Sequence, residues 1–275
     1  MAQTINTNLV SLNAQRNLSM SGGSLATSMQ RLSSGLRVNS AKDDAAGLAI
    51  ADRMQTQVRG MNVAMRNAND GISLAQTAEG AIGKVGDMLQ RMRELAVQAA
   101  NATNGFADRT NLDAEFTQLT EEIGRTLGNT KFNGLTILCA NAGPQIFPVG
   151  ADSTDQITII TADLAGNAFI TALPGLDLLS APNSTAAMVA IDSAMTVVNA
   201  ERAQYGATQN RFEAVIETLQ VASENQSAAR GRIMDADFAM ETANMSRAQI
   251  LQQAGTAMVA QANQLPQQVL QLLQR

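Results

Sequence analysis

From Met65 to Ala99 a small or apolar residue returns at steps of three and four: Met65, Ala68, Ile72, Ala75, Ala78, Ile82, Val85, Leu89, Met92, Ala96 and Ala99. A strand repeats its face every second residue and a helix about every 3.6, so this stripe is that of a long helix packed along another helix. A second run points the same way. Ile191, Val198, Tyr205, Phe212 and Leu219 are each seven apart. Their companions three residues on, Ala194, Glu201, Thr208, Val215 and Ala222, are mixed, which leaves one good heptad position on a long helix.

Helices packed side by side also account for the composition. The 275 residues, enough for one or two domains, are 45% hydrophobic but only 3% aromatic, with no Trp, one Tyr and seven Phe. Ala, Leu, Ile, Val and 14 Met supply the apolar mass, which argues against a compact, aromatic-cored enzyme. With no His, imidazole acid–base catalysis, His-dependent triads and His metal sites are excluded. The lone Cys139 can form neither an internal disulfide nor a Cys-rich metal cluster, and reads as a small buried hydrophobe. A net charge of −5 gives no electrostatic reason for nucleic acid or acidic lipid as partner. Among 19 basic residues only Lys42, Lys84 and Lys131 are lysines; the preference for Arg hints at a self-associating surface.

Shorter stripes mark the two ends. Leu25, Met29, Leu32 and Leu36 step 4-3-4, and Leu251, Ala254, Met258, Leu265, Val269 and Leu272 follow the same pattern, with Pro266 expected to bend or end that helix. Neither stripe has much to bury against in its own segment, so the two are expected to pair with each other or with neighbouring copies. Between the long helices, NATNGFADR (101–109) reads as a polar connection and 111–127 as a further helix. Asn133-Gly134 offers the positive φ values of a tight hairpin turn. DQITIITADL reads as a strand with Ile157 and Ile159 on one face, and four of the five prolines fall in 143–182. The middle is therefore a small β and loop insertion.

Local clusters that tempt a catalytic reading have plainer ones. Asp43-Asp44 after Ser40 reads as a capped helix start with acids in its first turn. Asp235 and Asp237 lack the closing Glu of a calcium loop and read as caps. Gly80, Gly83 and Gly86 follow no strand, so they read as points of close helix approach and not as a phosphate loop. The methionines read as core filler. One helix face is less easily dismissed: Arg91, Leu95 and Gln98 share a side opposite the packed Leu89, Met92 and Ala96, as an exposed leucine flanked by arginine. Pairing of Arg91 with Glu94 within the helix is the plainer account of the arginine.

RLSSGLRVNSAKDDAAGLAIADRM (31–54), RNANDGISLAQTAEGA (66–81) and LQRMRELAVQAAN (89–101) resemble the N-terminal region of bacterial flagellin. RIMDADFAMETANMSRAQILQQAGTAMVAQANQLPQQVLQLLQ (232–274) resembles the flagellin C-terminal region equally closely. The resemblance spans about 1–140 and 185–275, and the middle departs from it in being short where many flagellins carry large outer domains. It implies a mainly α fold: long antiparallel helices forming a rod, a terminal coiled coil and a small β-hairpin and loop insertion. Residues 1–42 with 235–275 would be the coiled-coil inner core, disordered as a monomer; 43–140 with 180–234 the rod; and 141–179 the insertion. A helix from Asp44 to Asn101 would be about 85 Å long.

The resemblance further implies a non-enzymatic, cofactor-free subunit that polymerises head-to-tail into the flagellar filament for motility. The first residues, MAQTINTNLVSLNAQRNL, lack the pattern of a cleaved signal peptide, and no segment reads as a membrane span. Alone this would place the chain in the cytoplasm; the flagellar type III export route places it instead in the extracellular filament. Leu25, Met29, Leu32, Leu36, Leu251, Leu265, Val269 and Leu272 are the expected polymerisation seam. Other expected partners are an export chaperone and the cap and junction proteins. In a host, the resemblance implies Toll-like receptor 5, reading Arg91, Leu95, Gln98 and Glu115, and cytosolic flagellin sensors, reading the tail at Leu270, Leu272 and Leu273. The nearest rival is a hook–filament junction protein. A membrane-acting translocator would need a longer apolar helix or a basic amphipathic face, and an enzymatic insertion would need more residues and a motif such as HExxH.

Overall fold

The computed structural model describes residues 7–139, 142–152 and 154–273, with side chains as far as residue 264. Six helices dominate: α1 (Leu9–Ser34), α2 (Ala45–Ala100), α3 (Phe106–Asn129), the short α4 (Ala168–Thr171), α5 (Ala181–Met234) and α6 (Phe238–Leu273). Two small antiparallel hairpins lie between α3 and α4, β1 (Lys131–Phe132) with β2 (Leu135–Thr136) and β3 (Pro144–Pro148) with β4 (Gln156–Ile160). The fold is mainly α, as the stripes require. Two compact units divide the chain, one made of both terminal segments up to Thr56 and from Asn225, the other of Gln57–Glu224. Among the described residues no helix is long and apolar enough to cross a membrane.

In the Gln57–Glu224 unit, α2 and α5 run antiparallel. Arg93 Nε donates to Asp192 at 2.7 Å, and Gln209 Nε2 donates to Glu79 at 2.7 Å. Along this contact the α2 stripe from Ala68 to Ala99 is buried except for the partly buried Ile72, in one core with Ile191, Ala194, Val198, Tyr205 and Phe212 of α5. The Phe212 ring of α5 packs against α2 at Gly71, where an added Cβ would lie 2.7 Å from it. Gly80 and Gly83 have open space around them and Gly86 has only an ordinary approach to Val198. The expectation of close approach at those three glycines is therefore corrected: the ring that demands the space faces Gly71. α3 closes this core with Phe116, Ile123 and Leu127. It starts at Phe106, five residues before the expected 111, because Asp108 reaches back to accept the Gly105 N–H at 3.1 Å and caps the helix early.

The middle segment folds onto the same core. Asn133 (φ 48°) and Gly134 (φ 83°) form the two-residue turn between β1 and β2. On β4, Ile157 and Ile159 point inward and Gln156, Thr158 and Ile160 outward, the alternation expected of a half-buried strand. Phe147 of β3 meets Phe212 edge-to-face at 5.8 Å between ring centres. Prolines begin and end β3, a placement open to an edge strand because a two-stranded sheet leaves N–H positions unpaired. Cys139 is free and half-buried.

In the terminal unit α1 ends at Gly35, left-handed at φ 72°. The chain there pairs with the segment before α6: Leu36 bridges Asp235, Arg37 N–H donates to Met234 O at 2.7 Å, and Ala236 N–H donates to Gly35 O at 2.9 Å. Val38, Ala51 and Met234 make a small apolar cluster beside it. Ser40 does not cap α2. Asp43 instead ties a turn, accepting from Ser40 Oγ and from the Ser40 and Asn39 N–H groups, and those bonds hold its carboxyl below the ordinary value. The helix begins only at Ala45, with Asp44 accepting the Gly47 N–H at 2.8 Å, so no acid lies in its first turn. Asp237 caps α6 as expected, accepting from Ala239 and Met240. Pro266 does not end α6, which continues to Leu273.

Candidate functional site

Two surfaces gather the residues singled out by sequence. The first is the α1–α6 pair. The helices are antiparallel: Ser28 and Arg31 near the end of α1 bond Glu241 near the start of α6, and Ser11 near the start of α1 bonds Asn263. Leu18 lies 3.1 Å from where a Cβ on Gly255 would be, so the backbones approach closely midway. The buried positions of this pair are Ser11, Ser28, Glu241, Ala248 and Ala262. These are polar or small, the reverse of a core.

Large apolar groups lie outside instead. Of the twenty that stay exposed among the described residues, ten are on α1 and α6: Leu9, Val10, Leu12, Met20, Met29, Phe238, Met240, Ile250, Leu251 and Met258. Four of these are methionines, which corrects their reading as core filler. Of the expected seam, Met29 (54%) and Leu251 (51%) are exposed, while Leu25, Leu32 and Leu36 are half-buried. The side chains of Leu265, Val269, Leu270, Leu272 and Leu273 lie outside the described residues. Leu9, Val10, Leu18, Leu251 and Met258 line a shallow groove along the pair.

One charge is buried in this pair. Glu241 accepts from Arg31 Nη1 and from Ser28 Oγ, both at 2.9 Å, and Arg31 foremost holds its carboxyl below the usual carboxylate range against the opposing effect of burial. No local signal in the sequence marks this pairing, since the partners are 210 and 213 residues apart.

The second surface lies where α3 crosses α2. Arg91 Nε donates to Glu115 at 2.8 Å and Arg91 Nη1 to Glu94 at 3.0 Å, and all three side chains are well exposed. The Glu115 bond, then Glu94, raises the arginine above its ordinary pKa. The structure thus brings Arg91 and Glu115 together from 24 residues apart, and Gln98 is exposed on the same helix. Leu95 does not join them. It is fully buried in the α2–α3–α5 core beside Leu89, Met92 and Ala96. The expected exposed leucine is corrected: Leu95 lies in the core that α2 shares with α3 and α5, and sequence periodicity within α2 holds no record of those helices. Among the described residues, no group of three His, Cys, Asp or Glu is placed to hold a metal.

Comparison with known proteins identifies the family of the chain. The family described as bacterial flagellin N-terminal helical region matches residues 5–142, and the bacterial flagellin C-terminal helical region matches 188–273. Flagellin of Halalkalibacterium halodurans is 47% identical over 269 residues, covering 98% of this chain and 99% of that protein. Flagellin of Bacillus subtilis is 40% identical, with 98% and 99% covered. The crystal structure of Bacillus cereus flagellin superposes with a TM-score of 0.52 at 32% identity, over 60% of this chain and 94% of that one. A protein described as a flagellar hook-associated protein of Vibrio parahaemolyticus shares the fold at TM-score 0.59, over 70% of this chain and 100% of that one, at 13% identity. That likeness shows the fold alone, whereas the near full-length identity is to flagellins. The chain belongs to the bacterial flagellin family, the subunits from which the flagellar filament is built.

Proposed function

We propose that the filament forms through the outward faces of the α1–α6 pair, with 1–42 and 235–275 as its inner core, 43–140 with 180–234 as the rod and 141–179 on the rod's outward side. The inverted burial of the pair carries this reading. A helix pair that hides Ser11, Ser28 and Glu241 and shows Leu9, Met29 and Leu251 gains little from its own contact. Its apolar faces become useful when neighbouring copies cover them, each Leu or Met side chain contributing about 1.5–3 kcal/mol on full burial. Repeated head-to-tail contacts that do not close give an open filament. Burial of these faces between copies drives polymerisation.

The test is assembly of Leu251→Asp, seeded with flagellar fragments and followed by sedimentation and negative-stain microscopy. The unaltered chain forms long uniform filaments. The variant stays in the supernatant with an unchanged thermal melt, because Leu251 is exposed in the single chain. Filaments at an unchanged critical concentration would sink the reading.

The exposed Arg91–Glu115 pair supports a second role. Two helices place fixed, opposite charges side by side on the surface, which suits recognition by Toll-like receptor 5 in a host, with Gln98 alongside and Leu95 acting only from beneath. The tail at Leu270, Leu272 and Leu273 suits cytosolic flagellin sensors. Both readings fit a chain exported by the flagellar route with its chaperone, capped and joined by the cap and junction proteins, and placed outside the cell. Arg91→Ala that leaves receptor activation unchanged counts against the first.

A further inference from the structure

Pro266 lies inside α6 and carries no N–H, so the helix cannot supply the usual donor to the carbonyl of Ala262, four residues earlier. Ala262 is buried at 3% exposure, and a buried carbonyl left without a donor is costly. That oxygen has a donor from elsewhere: Asn8 Nδ2, at 2.6 Å and 254 residues away. Asn8 is also the N-cap of α1, its Oδ1 accepting the Ser11 N–H at 3.1 Å. One turn on, the buried Ser11 donates its hydroxyl to Asn263 Oδ1 at 2.7 Å.

We infer that Asn8, Ser11, Ala262 and Asn263 form a register clasp between the terminal helices, in which the Asn8 amide replaces the N–H that Pro266 lacks. A primary amide does both tasks at one position. Its oxygen accepts from α1 while its NH2 group donates to α6; a carboxylate only accepts. Sliding α1 by one helical turn, about 5.4 Å, would strand the Ala262 carbonyl and the Ser11 hydroxyl in a buried place. The clasp therefore fixes which apolar side chains of each helix face outward. That consequence for assembly rests on the assembly face proposed above; the clasp itself does not.

A four-chain cycle tests it: the unaltered protein, Asn8→Asp, Pro266→Ala and the double variant, compared by critical concentration for seeded assembly. The Asn8→Asp change keeps the N-cap acceptor and loses the donor. Pro266→Ala restores the N–H, so Ala262 no longer needs Asn8. The expected result is a critical concentration raised about fivefold by Asn8→Asp, the size of one net hydrogen bond, and returned to the unaltered value in the double variant. An equal effect of Asn8→Asp in both backgrounds, or none in either, overturns the clasp. If the unaltered chain forms no filaments, the assembly reading alone fails. The same cycle is then read from amide exchange along α1 in the free chain, where about fivefold faster exchange in Asn8→Asp, absent from the double variant, supports the clasp and any other pattern overturns it.

Discussion

The α2–α3–α5 core and the α1–α6 pair are built from the same residue palette and the same helix spacing, yet their interiors are opposites. The first buries Leu89, Met92, Leu95, Phe116, Tyr205 and Phe212 almost completely, with charges such as Arg93 and Asp192 outside. The second buries a carboxylate and two hydroxyls and leaves Leu9, Met20, Ile250 and Met258 outside. A stripe alone does not say whether a helix packs inward or waits for a partner; what lies opposite the stripe decides. The core is complete in one chain, whereas the pair is joined by directional hydrogen bonds and leaves its apolar side chains exposed.

If that contrast holds, truncating the core is the most damaging change. Phe212→Ala removes a fully buried ring facing Gly71 and Phe147 and should cost about 3–5 kcal/mol, read as a lower unfolding midpoint in guanidinium. Gly71→Ala alone should destabilise by about 1–3 kcal/mol because its methyl group meets the ring. In the double variant that methyl enters the space the ring vacates, so the cost should be smaller than the two added together. Strict additivity would show that the Phe212 ring does not occupy the space beside Gly71.

The pair should respond to acid where the core does not. Arg31, and then Ser28, hold Glu241 below the usual carboxylate range in the folded chain. The charged carboxylate therefore favours the folded pair at any pH above the unfolded value, near 4.3. That stabilisation fades as the pH falls through the lowered folded value. Glu241→Gln should cost about 1–3 kcal/mol at neutral pH and flatten the dependence below about pH 5. Helical protection of α1 and α6, followed by amide exchange across that range, is the check. An unchanged slope in the variant would mean that other carboxylates carry the acid response.

How far the sequence could be read follows the same divide. The stripe from Met65 to Ala99, the heptad from Ile191 to Phe212, the Asn133-Gly134 turn and the inward Ile157 and Ile159 are signals of short range, and the structure has each of them. Asn8 with Ala262, and Arg31 with Glu241, join residues more than two hundred positions apart, and nothing local in either segment announces the partner. Leu95 failed for a related reason. On α2 alone it lies beside Arg91, off the main stripe, and it is buried in the core that α2 shares with α3 and α5. Of the candidate recognition site, Arg91 and Gln98 were legible by spacing, while the pairing of Arg91 with Glu115 needed the fold.

Arg91 and Leu95 therefore separate surface from support, and the smallest expected change in stability tests the most specific claim. Arg91 and Glu115 are each about half exposed, and exposed pairs of this kind contribute little to stability. Arg91→Ala should leave the melt nearly unchanged and, if the receptor reads this charge, sharply reduce activation in a Toll-like receptor 5 reporter assay. Leu95→Ala opens a cavity in the core and should cost about 2–5 kcal/mol, so a loss of activation in that variant alone would carry no information about contact. Leu95→Met, similar in volume, keeps the core filled at a cost under about 1.5 kcal/mol and should activate normally. Normal activation by Leu95→Met with loss by Arg91→Ala places recognition in the surface charge. The reverse pattern would require Leu95 itself to reach the receptor, which its burial in the folded chain forbids unless α3 moves away.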